Sequence, residues 1–206
     1  MTISDAPAAA VTEPRGARRK PESYAKLKKA ARKLFVQRGY HATRPQDIAR
    51  EAGLGHGTFY LHFPDKRACF LSFVEDARTE LDAYLRARVS QDSSLEKFFA
   101  TMLHAIYEYS ETHPGVLHAA LTDEAVIDAE GAQAVPLLQR WGKDWTGLLR
   151  NSARLGLVSD SFDLEIIGQA IVGALHQTGS EGAASKRSRE QVVDNLTRFL
   201  VRALKP

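Results

Sequence analysis

The 206-residue chain holds a single cysteine, Cys69. An internal disulfide framework is therefore excluded, and a reducing, cytoplasmic setting is expected. No apolar run approaches the ~18 residues of a membrane-spanning helix, so no membrane partner is expected. A secretory leader is not expected either, because the short apolar patch Ala8–Val11 lies between Asp5 and Glu13. Phosphate-cradling glycine loops, HExxH, CxxC and the nucleophile elbow are all missing. The seven histidines are scattered, and none forms a ligand pair with a carboxylate at helical spacing. No catalytic residue, metal or cofactor is expected, and the chain reads as a binding protein rather than an enzyme. Strand-like alternation is absent beyond about four residues, which leaves an all-α chain.

What is present is an uneven distribution of charge. Residues 15–66 carry thirteen Lys or Arg against four Asp or Glu, and the remainder carries fifteen against twenty-one. A basic end on an acidic body is the asymmetry of a protein that meets a polyanion at one end. Residues 1–20 are rich in Ala, Pro and Thr and finish in Arg15-Gly-Ala-Arg-Arg-Lys20. They offer little apolar surface to bury and are expected to form a disordered basic arm, either touching DNA or simply solubilising the chain.

Helical periodicity begins at Pro21, with Tyr24, Leu27, Ala30, Ala31, Leu34 and Phe35 on one face and Gly39 as the stop. Lys26, Lys28, Lys29, Arg32 and Lys33 coat the other face. Thr43 and Gln46 match a capping box for a second helix, with Pro45 in its first turn and Gly53 at its end. A short third helix follows at Gly55–Leu61. Asp65 then caps a long fourth helix that is expected to run to about Ser90. Further periods centre on Leu95–Tyr107, a shorter segment to about Asp123, Leu138–Leu149, Ile166–Leu175 and Val192–Leu204, while 124–134 is ambiguous and 180–189 reads as a polar loop. About nine helices are expected.

The second and third helices, joined by Ala52-Gly53-Leu54, have helix-turn-helix spacing. Leu54 and Phe59 pack inward, while Gly55, His56, Thr58, Tyr60 and His62 remain for an outside partner. The glycines 55 and 57 each cost a helix roughly 1 kcal/mol, which makes sense where the backbone must approach another molecule closely. The run Leu34-Phe35-x3-Gly39-Tyr40-x2-Thr43-x3-Asp47-Ile48-Ala49-x2-Ala52-Gly53-Leu54-x2-Gly57-Thr58-Phe59-Tyr60-x-His62-Phe63-x2-Lys66 resembles the signature of the tetracycline-repressor (TetR) family. The resemblance implies a helix-turn-helix DNA-binding domain at 21–66 and an effector-binding and dimerisation domain at 67–206. It implies a homodimer on a pseudo-palindromic double-stranded operator. Thr58 and His56 would then face bases or phosphates, Tyr60, His62 and Lys66 would bind phosphates, and Thr43 and Arg44 would anchor the second helix. Arg44, Gly55 and His56 depart from the residues common in the family, which bears on the operator rather than the fold.

In such proteins helices four to seven enclose a small-molecule effector and the last two dimerise. The corresponding pocket residues here are Phe73, Phe99, Met102, Leu103, Ile106, Tyr107, Leu121, Trp141, Trp145 and His176. Apolar bulk with stray polar tips suits an apolar or aromatic effector, and no clustered Arg or Lys is evident for a highly phosphorylated one. The penultimate helix carries Gly168, Ala170, Gly173 and Ala174, and the last helix is apolar around much of its circumference. Ile167, Ile171, Ala174, Leu175, Leu196, Phe199 and Leu200 are accordingly the expected dimer interface. The function expected is a ligand-released repressor. The alternatives are a sequence-indifferent architectural DNA binder and a thiol sensor built on Cys69.

Overall fold

The computed structural model describes residues 21–89, 94–122, 135–182 and 187–206. The arm expected at 1–20, the 124–134 stretch and residues 183–186 of the expected loop lie outside them. Among the described residues there are nine helices and no strand: α1 (Pro21–Arg38), α2 (Pro45–Glu51), α3 (His56–His62), α4 (Lys66–Arg86), α5 (Leu95–Thr112), α6 (Val116–Thr122), α7 (Leu137–Arg154), α8 (Leu164–Gly182) and α9 (Arg189–Leu204).

Local chemistry explains most of the boundaries. Gly39 leaves α1 at φ +74, Gly53 follows α2 at φ +68 and Gly156 follows α7 at φ +69, a region that suits residues without a Cβ. The Asp65 carboxylate accepts the Ala68 N–H at 2.6 Å and starts α4, and Ser94 accepts from Lys97 to start α5. The capping box expected at Thr43 and Gln46 does not form. Arg44 is the residue that precedes α2, and its side chain makes no capping bond. Thr43 is fully buried, and its hydroxyl donates instead to the Gly39 carbonyl at 2.8 Å, tying the start of α2 to the end of α1. A true reciprocal box occurs where a polar loop was expected, between Ser188 and Gln191 at the head of α9. Helix α4 stops at Arg86, short of Ser90, and α8 runs on past Gly179.

Two apolar clusters organise the helices. The first gathers Leu27, Ala31, Leu34 and Phe35 of α1, Ile48 of α2, Phe59 of α3, and Phe70, Phe73, Val74 and Ala77 of α4. It does not end with the three N-terminal helices, because Tyr109, Val116, Ala119, Ala120 and Leu137 belong to it as well. The second lies between α5, α7, α8 and α9, around Phe99, Leu103, Trp145, Leu149, Ile171, Val193 and Leu204. Helices α7 and α8 approach closely because both are glycine at the crossing. A Cβ on Gly168 would stand 2.5 Å from the Gly142 carbonyl, and one on Gly142 would meet the Gln169 side chain.

Gly147 has nothing within 4 Å of an added Cβ and is exposed on α7. Gly168→Ala is therefore expected to lower stability by about 1–3 kcal/mol through overpacking, while Gly147→Ala raises it by roughly 0.5–1 kcal/mol through helix propensity. Urea denaturation of the two variants checks this; equal shifts would contradict the packing described.

Candidate DNA-reading face and cavity

Helix α3 is held from inside by Phe59, which is fully buried, and by Phe63 just beyond its end. The Leu54 N–H donates to the Ala49 carbonyl at 2.9 Å, which fixes the turn between α2 and α3. This leaves Arg44, Gly55, His56, Gly57 and Tyr60 exposed, with Thr58 half-buried. Tyr60 keeps half of its surface free and meets the His56 ring edge-on at 5.2 Å. The exposed side of α3 thus presents an imidazole and a phenol, and Arg44 ahead of α2 an exposed guanidinium, groups able to donate to phosphate oxygens or base edges.

The other residues expected on this face are tied inward to differing degrees. Thr43 is withdrawn altogether, since its side chain has no exposed surface and its hydroxyl is spent on the backbone. His62 is half-buried; its Nε2 lies 2.7 Å from the Ser23 hydroxyl and its ring leans on Tyr24. The Lys66 ammonium sits 4.0 Å above the centre of the Tyr40 ring and donates to the Tyr40 carbonyl at 2.9 Å, so it braces the α1–α2 turn.

The basic coat of α1 is largely compensated within the fold. Lys28 pairs with Asp76 at 2.7 Å, Arg32 with Glu80 at 2.7 Å and Lys33 with Glu51 at 2.5 Å. Lys33 holds the Glu51 carboxyl below its ordinary range, chiefly through this hydrogen bond. Two of the three pairs join residues 48 positions apart, which a sequence count of local charge could not anticipate.

Helices α4 to α9 surround a cavity of about 1060 Å³. Met102, Ile106, Tyr107, Leu121, Trp141, Trp145 and His176 line it. The Tyr107 hydroxyl and the Thr178 hydroxyl are 2.6 Å apart on its wall. Phe73, Phe99 and Leu103 do not line it. Phe73 packs against Phe35 and Phe70 in the first cluster, Phe99 stacks on Trp145 with ring centres 5.9 Å apart, and Leu103 is fully buried. Arg78, Arg86, Lys143, Arg187 and Arg189 also reach the lining, although no cluster of Arg or Lys was evident along these helices. Acids offset them: Arg78 bonds Glu75 and Asp82, and Arg189 bonds Glu111 at 2.8 Å. Burial, and after it the nearby Asp82, raises the Asp144 carboxyl above its usual pKa. Leu81 and Leu85 on α4 share this wall; their spacing from Arg78 and Asp82 was the signal available in the sequence.

The outer faces of α8 and α9 are displaced from the expected interface. Ile171 and Leu200 are buried inside the same chain, Ile167 and Leu196 pack against that core, Ala174 is half-buried and Leu175 lines the cavity. Of the set, Phe199 stands out, 64% exposed. The exposed row on α8 is Ile166, Ala170 and Gly173, one position from the expected row, which on a helix is a rotation of about 100°.

Cys69 is 2% exposed, and burial pushes its thiol up to about 12. Among the described residues no group of three His, Cys, Asp or Glu could hold a metal ion, and no helix is long and apolar enough to cross a membrane.

Residues 27–73 match the profile of bacterial regulatory proteins of the tetR family. YuxN, an uncharacterised HTH-type transcriptional regulator of Bacillus subtilis (strain 168), is 48% identical over 44 residues, 21% of this chain and 15% of YuxN. YdgC, another such regulator of the same organism, is 23% identical over 168 residues, 77% of this chain and 80% of YdgC. The fold matches that of the fatty acid degradation regulator FadR from Bacillus halodurans with a TM-score of 0.72 at 18% identity, covering 88% of this chain and 96% of FadR. High identity is thus confined to a short span, while the fold likeness extends through the helical body. Residues 27–73 thus form a helix-turn-helix segment of the tetR type, and the described helices as a whole share the fold of FadR.

Proposed function

We propose that the protein is a dimeric, effector-released repressor that reads a pseudo-palindromic operator through residues 21–66 and senses its effector through residues 67–206. The observation that carries the DNA reading is the exposed face of α3, with His56, Gly57 and Tyr60, together with the exposed Arg44 that precedes α2. Tyr60, His62 and Lys66 serve phosphates, His56 and Thr58 serve bases, and Gly55 and Gly57 let the backbone approach. Thr43 acts only as an internal tie. A thiol sensor at Cys69 is disfavoured, because a buried, protonated thiol is a poor nucleophile.

The dimer is assigned to the exposed row Ile166, Ala170 and Gly173 together with Phe199, surface that a second copy would cover. The effector is assigned to the cavity between α4 and α9. Arg78 and Arg189 are already paired, and the lining by Leu81, Met102, Ile106, Leu121, Trp141 and Trp145 suits an apolar or aromatic body, with Arg86, Lys143 and Arg187 bordering it.

Against duplexes selected from a random library, Tyr60→Phe and Lys66→Ala are expected to weaken binding uniformly across sequences. Loss of the lysine should lower the salt slope by about 1. His56→Ala or Thr58→Ala should instead relax preference at individual base pairs by about 1–3 kcal/mol. Anisotropy at fixed salt measures both; unchanged affinity and preference in all four variants would remove the DNA assignment, and a wild-type footprint without a preferred site would favour an architectural binder.

Phe199→Arg is expected to convert a dimer to a monomer in sedimentation at micromolar concentration. A monomeric wild-type protein would remove the dimer from the proposal.

Trp141 and Trp145 are the two tryptophans of the chain, and both line the cavity. Any compound that releases DNA by occupying it should therefore shift or quench tryptophan emission in proportion to release. A releasing compound that leaves emission unaltered would place the effector elsewhere.

A further inference from the structure

The turn between α5 and α6, His113-Pro114-Gly115, supplies three consecutive residues to the cavity lining. The same turn grips α1 at two points. One grip is direct: Gly115 has φ +76, and a Cβ there would stand 2.9 Å from Cγ1 of Val36. The other runs through side chains. The His113 ring lies flat on Tyr109, ring centres 4.2 Å apart and planes 17° from parallel. The Tyr109 hydroxyl donates to Glu80 of α4 at 3.1 Å, and both oxygens of that carboxylate accept from Arg32, at 2.7 and 2.8 Å. Arg32 and Val36 are four residues apart, one turn of α1, so both grips act on one stretch of one helix.

The intermediate ring has no slack. Tyr109 is 1% exposed, and the edge of Tyr84 closes on it at 5.4 Å, with the Arg88 guanidinium 3.4 Å above Tyr84. In a close-packed site a displacement of His113 is passed on rather than absorbed. Helix α1 in turn shares its core with α2 and α3, so a shift of α1 re-aims the reading helix.

We propose that the His113–Gly115 turn conveys the state of the cavity to α1, with Tyr109 as a positioning residue between His113 and the Glu80–Arg32 pair. This rests on the reading of the cavity as an effector site and of α3 as a DNA reader. In a dimer, the tautness of this link sets how strictly the two reading helices hold their separation.

The test uses the full chain and no effector. The probes are the paired-half-site duplex that the wild type selects from a randomised library and the same duplex lengthened by one base pair between its halves. The readout is the ratio of the two affinities, which general destabilisation leaves unmoved. The wild type is expected to reject the lengthened duplex by about tenfold or more, since each added step displaces and rotates one half-site. Tyr109→Phe, which keeps the ring and removes the hydroxyl, should reduce that ratio about threefold, and so should His113→Ala and Glu80→Gln. Tyr109→Phe combined with His113→Ala should reduce it no further than the larger single effect, the non-additivity of one connected path. Unchanged ratios, or effects that simply add, would overturn the link while leaving the DNA reading intact. A wild type that selects no paired half-sites would instead overturn the DNA reading itself.

Discussion

The burial of α1 against α4 is the contact on which the rest of the molecule depends. Leu27, Ala31, Leu34 and Phe35 meet Phe70, Phe73, Val74 and Ala77 there, and the Phe35 ring stands edge-on to Phe70 at 5.0 Å. Helices α2 and α3 have little core of their own and rest on this layer through Ile48, Ala49, Phe59 and Phe63. Helix α6 packs into the same layer with Val116, Ala119 and Ala120, while its Leu117, His118 and Leu121 border the cavity. The pose of the reading helix is therefore defined relative to the helical body. Without that shared layer, a change in the body could not be felt at α3.

The polar contacts along this seam run in the same direction as the apolar ones. Lys28–Asp76 and Arg32–Glu80 are partly exposed pairs, each worth little to stability on its own. Their value is geometric, since they fix the register of α1 along α4 at two successive turns. Thr43 and Lys66 do similar service nearby, closing the α1–α2 turn onto α1 and α4. Several residues that look like ligands for DNA are therefore, in whole or in part, the framework that presents the others.

The helices were legible in the sequence because their signals are local. Pro21, Gly39, Gly53, Asp65 and Gly156 each act on the turn they occupy, and 3.6-residue periodicity names the buried stripe. What stayed hidden depends on where a stripe faces. Phe73, Phe99 and Leu103 are as apolar as Met102 and Trp145, and the period cannot say which of them stands at a cavity wall and which behind it. The exposed row on α8 lies one position from the row expected to dimerise for the same reason. Thr43 illustrates a different limit: threonine caps helices often enough to suggest a box, but the buried carbonyl of Gly39 competes for its hydroxyl and wins. Ion pairs across 48 residues belong to tertiary structure alone.

The pairing of the α1 cations has a consequence for how the molecule meets a polyanion. Asp76, Glu80 and Glu51 cancel much of the field that a lysine-rich helix would spread in all directions. What the module presents to a polyanion is then carried by exposed cations outside these three pairs, Lys29, Arg38 and Arg44 among them. A chain basic at this end and acidic over the rest is turned by its field before contact, so fewer collisions with a duplex arrive wrong side first. Neutralising the flank thus acts as a rudder, trading total attraction for heading.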